Sequence, residues 1–397
     1  MSDNKNLKPG WKVWRFDQMA TNVNVRIDNP SDSGMEHYVG LEHLDADSLK
    51  IRRWGTPDDV EATKLMFKTG DIIFGRRRAY QRKLGVAEFD GICSAHAMVL
   101  RAKPDVVLPE FLPFFMQSDL FMNRAVEISV GSLSPTINWK AMAVQEFALP
   151  PVEEQQRFVL VLHAIEGCFI ALDAASASTS ALQWSRLDAA LNAVSEDCVH
   201  PVEKLLTTAP KNGLSPKVNS DNRGFPTLSI SSVRDGRIIT EGNTKYAEVT
   251  ADQADTFALK PDDVLVVRGN GNKRLTGKCG VVEDAPKGCF YPDLLIRLLF
   301  NEKVIRPRFA ALQWNSPSVH KRLIARAKST NGIWKINGSD IRQHTLKAPP
   351  IEEQDALLEE IGEIRKVRAE IENRKTKTRA LKSLALSEIT LGSSNGI

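Results

Sequence analysis

Cysteine is scarce in this 397-residue chain: Cys93, Cys168, Cys198, Cys279 and Cys289 are scattered and odd in number. No C-x-x-C pair occurs, and Cys198-Val199-His200 is a lone C-x-H. The spacing suggests neither a zinc site nor a disulfide framework. A reducing, cytoplasmic setting is the simplest expectation. No hydrophobic run is expected to be long enough to span a membrane, and there is no signal-peptide start. Catalytic motifs are missing too. Five residues separate Gly271 from Gly277 and Cys279 follows Lys278, whereas a phosphate loop needs four residues and then Ser or Thr. No G-x-G-x-x-G opens a helix after a strand, and no H-E-x-x-H appears. Asn29-Pro30-Ser31-Asp32 is not the Asn-Pro-Pro-aromatic motif of adenine methyl transfer. Pro292-Asp293 lacks the following Glu-x-Lys of many nucleases. Glu153/Glu154 and Glu352/Glu353 are paired carboxylates, but adjacent residues point to different helix faces. They read as helix starts, and no catalytic centre is expected.

What is present is a repeat. Leu149-Pro150-Pro151-Val152-Glu153-Glu154-Gln155 returns as Ala348-Pro349-Pro350-Ile351-Glu352-Glu353-Gln354, half a chain later. Two prolines force an extended entry to a helix, and acids in the first turn suit the helix dipole. Upstream, Lys68-Thr69-Gly70-Asp71-Ile72-Ile73-Phe74-Gly75-Arg76 corresponds to Lys260-Pro261-Asp262-Asp263-Val264-Leu265-Val266-Val267-Arg268. Gly85-Val86-Ala87 corresponds to Gly280-Val281-Val282, and Ile137-Asn138 to Ile336-Asn337. Blocks in the same order indicate an internal duplication. Each copy mixes short apolar strands with helical spacing, as over Pro109 to Ser129 and Pro307 to Ala327, so each is α+β.

A net charge of +4 decides nothing alone, but its placement does. Arg76, Arg77, Arg78, Arg82 and Lys83 cluster after the first strand entry, and Arg268, Lys273, Arg274 and Lys278 after the second. Lys321, Arg322, Arg326 and Lys328 form a third group. Basic clusters at equivalent points of a duplicated chain suggest a polyanion read twice.

Behind each box lies a long helical pattern. Phe158, Leu162, Ile165, Phe169 and Leu172 are spaced as a coiled-coil seam. Ala174 to Ser180 follows, a patch of small residues that is either a break or a place of close helix approach. The seam resumes at Trp184, Leu187, Leu191 and Val194. The second helix carries Ile364, Val367, Ile371, Thr378, Leu381 and Ala385. Each helix should run about 40 residues, roughly 60 Å, and the two are expected to pack antiparallel.

Two variable segments, each closed by a P-P-[VI]-E-E-Q box and a long helix, resemble the specificity (S) subunit of Type I restriction–modification systems. Pro9-Gly10-Trp11 and the Gly70-Asp71-Ile72-Ile73 strand entry add to the likeness, which covers nearly the whole chain. Copy two departs from copy one where Asp262 replaces Gly70 and Ala348 replaces Leu149. The resemblance implies target-recognition domains at residues 1–151 and 198–350. It implies spacer helices at 152–197 and 351–390, and a tail at 391–397. Each domain would read one half of a split sequence on double-stranded DNA. Two methyltransferase (M) subunits and restriction (R) subunits would join the chain. The chemistry would be theirs, with S-adenosylmethionine in M and ATP and Mg in R, and no cofactor, metal or membrane for this chain.

Major-groove reading uses Arg on guanine and Asn or Gln on adenine. The first loop offers Arg76, Arg77, Arg78, Tyr80, Gln81, Arg82 and Lys83, and the second offers Arg268, Asn270, Asn272, Lys273 and Arg274. Phe158, Leu162, Ile165, Phe169, Leu172, Ile364, Val367, Ile371 and Leu381 are the candidate helix or partner interface. Three rivals remain: an RNA-binding repeat protein, a structural adaptor, and an enzyme with an unrecognised site. RNA reading needs stacking aromatics, and within the two loops only Tyr80 qualifies.

Overall fold

The computed structural model describes residues 7–390. The tail expected at 391–397 lies outside the described residues. The chain divides into two compact units, residues 1–174 with 372–397, and residues 175–371.

Unit one opens with the strand Lys12–Arg15 and the short helix Phe16–Met19. The opening strand pairs antiparallel with Glu146–Leu149, the strand that leads into the first Pro-Pro box. Between them lie two four-stranded sheets. One orders Ala20–Val23, Met98–Ala102, Ile72–Phe74 and Leu84–Val86, all antiparallel. The other orders Arg26–Ile27, Lys64–Phe67, Gly91–Cys93 and Tyr38–Val39, the last pair parallel. Pro109 to Ser129 folds as two helices, Phe111–Gln117 and Asp119–Glu127. Ser118 breaks them and caps the second by accepting from Phe121 N. An aromatic core of Phe16, Phe74, Phe111, Phe115, Phe121 and Phe147 fills the space between these helices and the first sheet.

Unit two repeats this plan. Val199–Pro201 and the helix Val202–Leu205 open it, and the strand pairs with Thr345–Lys347 ahead of the second box. The buried strand Val264–Val267 lies between Leu295–Leu298 and Cys279–Val281 in a six-stranded sheet. The helix pair recurs as Pro307–Trp314 and Pro317–Ile324, with Ser316 as the cap. Asp235 and Gly236 both take left-handed φ, and the strands on either side of them, Val233–Arg234 and Arg237–Ile238, form the hairpin expected there. The Gly70-to-Asp262 replacement is also resolved. Gly70 has φ +88° and Asp262 φ +67°, a conformation Asp tolerates better than most residues.

The boxes open helices Val152–Ala193 and Ile351–Glu388. The first runs unbroken through Ala174 to Ser180, so the patch of small residues is no break. In unit one the two helices are antiparallel: Glu166 pairs with Lys382 at 2.7 Å and Asp173 with Lys375 at 2.8 Å. In unit two Arg186 pairs with Glu360 at 2.6 Å. Trp11 Nε1 donates to Glu154 Oε2 at 3.1 Å, tying the start of the unit to the first turn of the helix. Gly10 takes φ +83°, and a Cβ there would touch the Pro151 ring at 3.4 Å.

One sequence expectation is corrected. Val152–Ala193 contains an 18-residue window of mean hydropathy 1.9, so by length and composition it is apolar enough to cross a membrane. In unit one that helix buries Leu162 in the core, where Phe158 packs beside it, and leaves Leu160, Val161 and Ile170 exposed.

Candidate nucleic-acid interface

The chain leaves the buried strand Ile72–Phe74 at Gly75 and returns at Lys83, whose carbonyl accepts from Gly75 N at 2.9 Å. The loop between them is tightly built. Ala79–Gln81 forms a short 3-10 turn with Ala79 buried. Arg78 and Arg82, either side of it, both hold left-handed φ, at 58° and 53°. Non-glycine residues keep that conformation only where their surroundings enforce it.

The side chains divide by role. Arg82 donates to Asp47 at 2.6 Å, to Asp119 at 3.0 Å and to the Gln117 carbonyl at 2.6 Å. Lys83 Nζ donates to the Leu41 carbonyl at 2.7 Å, and Arg76 Nη2 to that of Ala95 at 3.0 Å. These three brace the loop. Arg77 reaches only His96, at 3.3 Å, and burial with the nearby Arg77 and Arg76 charges lowers the pKa of that histidine. Arg78 holds Ser134 Oγ at 3.1 Å. Arg78 and Tyr80 are exposed, and Arg77 and Gln81 are half-exposed.

Loop two follows Val264–Val267. Arg268 Nη1 lies 3.8 Å from Asp293. Asn270 Oδ1 accepts from Asn272 N at 2.8 Å, and Asn272 Oδ1 from Arg274 N at 2.9 Å. Both asparagines therefore use their oxygens to shape the loop. Lys273 Nζ sits 4.2 Å above the Trp334 ring, and Arg274 is exposed. Trp334 thus supplies the aromatic that the loop's own sequence lacks.

In each unit a second loop docks on the basic one, which the sequence reading missed. Ile137 N donates to the Arg76 carbonyl at 3.0 Å, and Ile336 N donates to the Arg268 carbonyl at 2.9 Å. This accounts for the repeated Ile-Asn. In unit one the docked loop is 129–136, closed by paired backbone hydrogen bonds between Val130 and Thr136. In unit two it is a hairpin, Lys328–Thr330 with Ile333–Lys335, whose second strand pairs with Gly269–Asn270. The repeated Ile-Asn and the Asn331-Gly332 turn were the available signals.

The interface candidates on the helices also divide. In unit one Leu162 is fully buried, Phe158, Ile165, Phe169 and Leu172 are half-buried, and Leu381 is exposed. Thr378, expected in the seam, is buried, and so is Lys375, which was not expected there. Lys375 is 5.9 Å from the Phe169 ring, so aliphatic lysine stem fills the seam while its ammonium pairs with Asp173. In unit two Ile364 and Ile371 are half-buried, and Val367 is exposed. There the seam is Trp184, Leu187 and Leu191 against Leu357, Leu358, Ile361 and Ile364.

Among the described residues no group of three or more His, Cys, Asp or Glu is placed to hold a metal ion. Burial pushes the Cys279 and Cys289 thiols up to about 12 and raises Cys93 as well, so none of the three is a ready nucleophile.

Residues 55–177 match the family model described as Type I restriction modification DNA specificity domain. The chain is similar to the Type I restriction enzyme EcoKI specificity subunit of Escherichia coli strain K12. The two are 25% identical over 390 residues, which is 90% of this chain and 82% of that one. It is 30% identical over 151 residues to the Escherichia coli EcoDI specificity subunit, 38% of this chain and 33% of that one. Its fold resembles a chain solved in work on complex assembly and conformational transition of the type I R-M system. That match has TM-score 0.61 and 19% identity, and covers 97% and 98% of the two chains. The fold also resembles the Type-I restriction-modification S subunit from M. genitalium. There the TM-score is 0.54 and the identity 13%, covering 100% of this chain and 99% of that one. A mixed α+β chain built twice on long helices, carrying twin basic loops, is a DNA sequence-recognition protein. Its similarity, to the family model over residues 55–177 and to a curated specificity subunit over most of the chain, is to the specificity subunits of Type I restriction–modification systems.

Proposed function

We propose that each unit reads one half of a split target on double-stranded DNA and that the chain directs partner subunits to it. The observation that carries this is the repeated pairing of a braced basic loop with a docked companion loop, fixed by Ile137 on Arg76 and Ile336 on Arg268. Arg77, Arg78, Tyr80 and Gln81 form the reading set in unit one, and Arg268, Asn270, Asn272, Lys273 and Arg274 in unit two. Arg76, Arg82 and Lys83 act mainly by holding the loop. Some of these cations contact only phosphate and set position, and others read base edges.

The chain acts without chemistry of its own. Two M subunits would supply adenine methylation from S-adenosylmethionine, and R subunits cleavage with ATP and Mg, all in the cytoplasm. The first long helix leaves Leu160, Val161 and Ile170 exposed in unit one, apolar surface that a protein partner would cover. The test is purification of the chain with and without its M subunit. The pair should methylate a split sequence, and the chain alone should transfer no methyl group. Methyl transfer by the chain alone would overturn the non-catalytic assignment.

A further inference from the structure

The two companion loops carry a feature that charge reading does not use. Leu133, in loop 129–136, is 91% exposed, and Val130 beside it 78%, the two highest values for large apolar side chains among the described residues. Such exposure on a slack loop would mean little. This loop is pinned. Val130 and Thr136 exchange backbone bonds at 3.1 and 3.0 Å, and Arg78 N donates to the Pro135 carbonyl at 2.7 Å. Thr136 Oγ1 also donates to the Ser134 carbonyl at 3.1 Å. The leucine therefore projects from a fixed base beside the guanidinium of Arg78.

Unit two also carries an exposed apolar side chain on its companion loop, by other means. Asn331 and Gly332 take φ 50° and 75°, the two left-handed residues of a tight hairpin turn. Ile333 follows at the tip and is exposed. At the other end of the hairpin Lys328 stands directly opposite Lys335. Like charges opposite each other on neighbouring strands repel, and a phosphate backbone alongside would remove that penalty. Lys273 on the basic loop adds a third cation at the same sheet.

We propose that the companion loops are DNA-contacting elements. In each, one tip side chain, Leu133 in unit one and Ile333 in unit two, presses on the apolar part of a base. A duplex offers apolar surface in two forms: the thymine 5-methyl group in the major groove, and base faces where a step is opened. The surrounding cations fix the backbone, and the tip then meets what lies between the strands. This rests on the DNA-reading function above and names residues that act in it.

The full chain assembled with its M subunit is tested with Leu133→Ser and Ile333→Ser, using equilibrium binding to duplexes and methylome sequencing. Leu133→Ser should weaken binding of the recognised duplex roughly 10-fold, the equivalent of burying one aliphatic side chain. It should relax one position in one half-site and leave the other half intact. Ile333→Ser should do the same on the other half. The salt dependence of binding should stay that of wild type, because no phosphate contact is lost. Deoxyuridine in place of thymine should reproduce the loss if the methyl group is the contact. 2-Aminopurine fluorescence should rise on wild-type binding, and not on Leu133→Ser, if a step is opened. Wild-type affinity and an unchanged methylome in both variants would overturn the proposal. So would a fall in melting temperature accompanied by equal loss on all sequences. Failure of the wild-type complex to discriminate any half-site would instead overturn the two-reader function.

Discussion

Gln155 Oε1 accepts a hydrogen bond from the Leu108 amide at 2.9 Å, and in unit two Gln354 Oε1 accepts one from Arg306 N at 2.8 Å. Each glutamine then donates twice. Gln155 Nε2 reaches the carbonyls of Pro150 at 2.9 Å and Val106 at 3.4 Å. Gln354 Nε2 reaches those of Pro349 at 2.7 Å and Val304 at 2.9 Å. Both side chains are buried. A carboxylate in that position could accept but not donate. The last letter of the repeated box is thus the one that locks the start of each long helix to the loop before the helix pair.

Replacing Gln155 with Ala should destabilise unit one by about 2–4 kcal/mol, since buried amide and carbonyl groups left unpaired each cost about 1–3 kcal/mol. Gln354→Ala should do the same to unit two. Urea unfolding measures both. A loss under about 0.5 kcal/mol in either variant would mean that water replaces the side chain and the box has another purpose.

Two histidines make unit two sensitive to acid. Burial pushes His320 and His344 down to about 4, helped by Lys278 for the first and by Arg322 and Arg326 for the second. In the unfolded chain both should titrate near 6.5. The folded state must keep them neutral, so the stability they contribute is fully present above pH 6.5 and is lost as pH falls toward 4. Each can cost up to about 1.4 kcal/mol per pH unit in that window. Thermal melts from pH 7.5 to 5 should show the loss, and His320→Gln with His344→Gln should flatten it. An unchanged slope in the double variant would remove these histidines from the account.

The duplication, the α+β plan, the twin basic loops and the long helices were legible because each leaves a local pattern: a repeated box, a cation cluster or a heptad. The companion loops were not. Arg76 and Ile137 are 61 residues apart in sequence, and Arg268 and Ile336 are 68. Their pairing is a long-range backbone event that only the repeated Ile-Asn hinted at. Nor could composition show that Arg82 and Lys83, as basic as Arg77, are spent on Asp47, Asp119 and the Leu41 carbonyl. Leu381 is exposed, while Lys375 and Lys382 pair across the two helices with Asp173 and Glu166, a use of long polar side chains that a search for apolar spacing passes over.

Damage to one loop should affect one half-site. Arg77→Ala with Arg78→Ala should relax or weaken one half. Arg268→Ala with Asn272→Ala should act on the other. A lost bidentate base contact should cost about 1–3 kcal/mol at a single position. A lost phosphate contact should weaken all sequences alike and flatten the salt dependence. Methylome sequencing of both variants separates these cases, and an equal effect of either variant on both halves would refute independent readers.

A split target has a fixed gap between its half-sites. If the long helices set it, lengthening them should move the halves apart without changing the bases read. Register matters here. Asp173 with Lys375 in unit one and Arg186 with Glu360 in unit two pair antiparallel helices, so extra residues in one helix alone would unpair them. The insertion should therefore be matched, four residues near Ser178 and four near Ala369. Four helical residues add about 6 Å, and base pairs rise about 3.4 Å each. The recognised gap should grow by one or two base pairs, with both half-sites intact. The unmatched insertion near Ser178 alone should instead lower the melting temperature. Methylome sequencing reads the gap directly. A matched insertion that leaves the gap unchanged, or that alters the bases recognised, would show that the helices do not measure the distance.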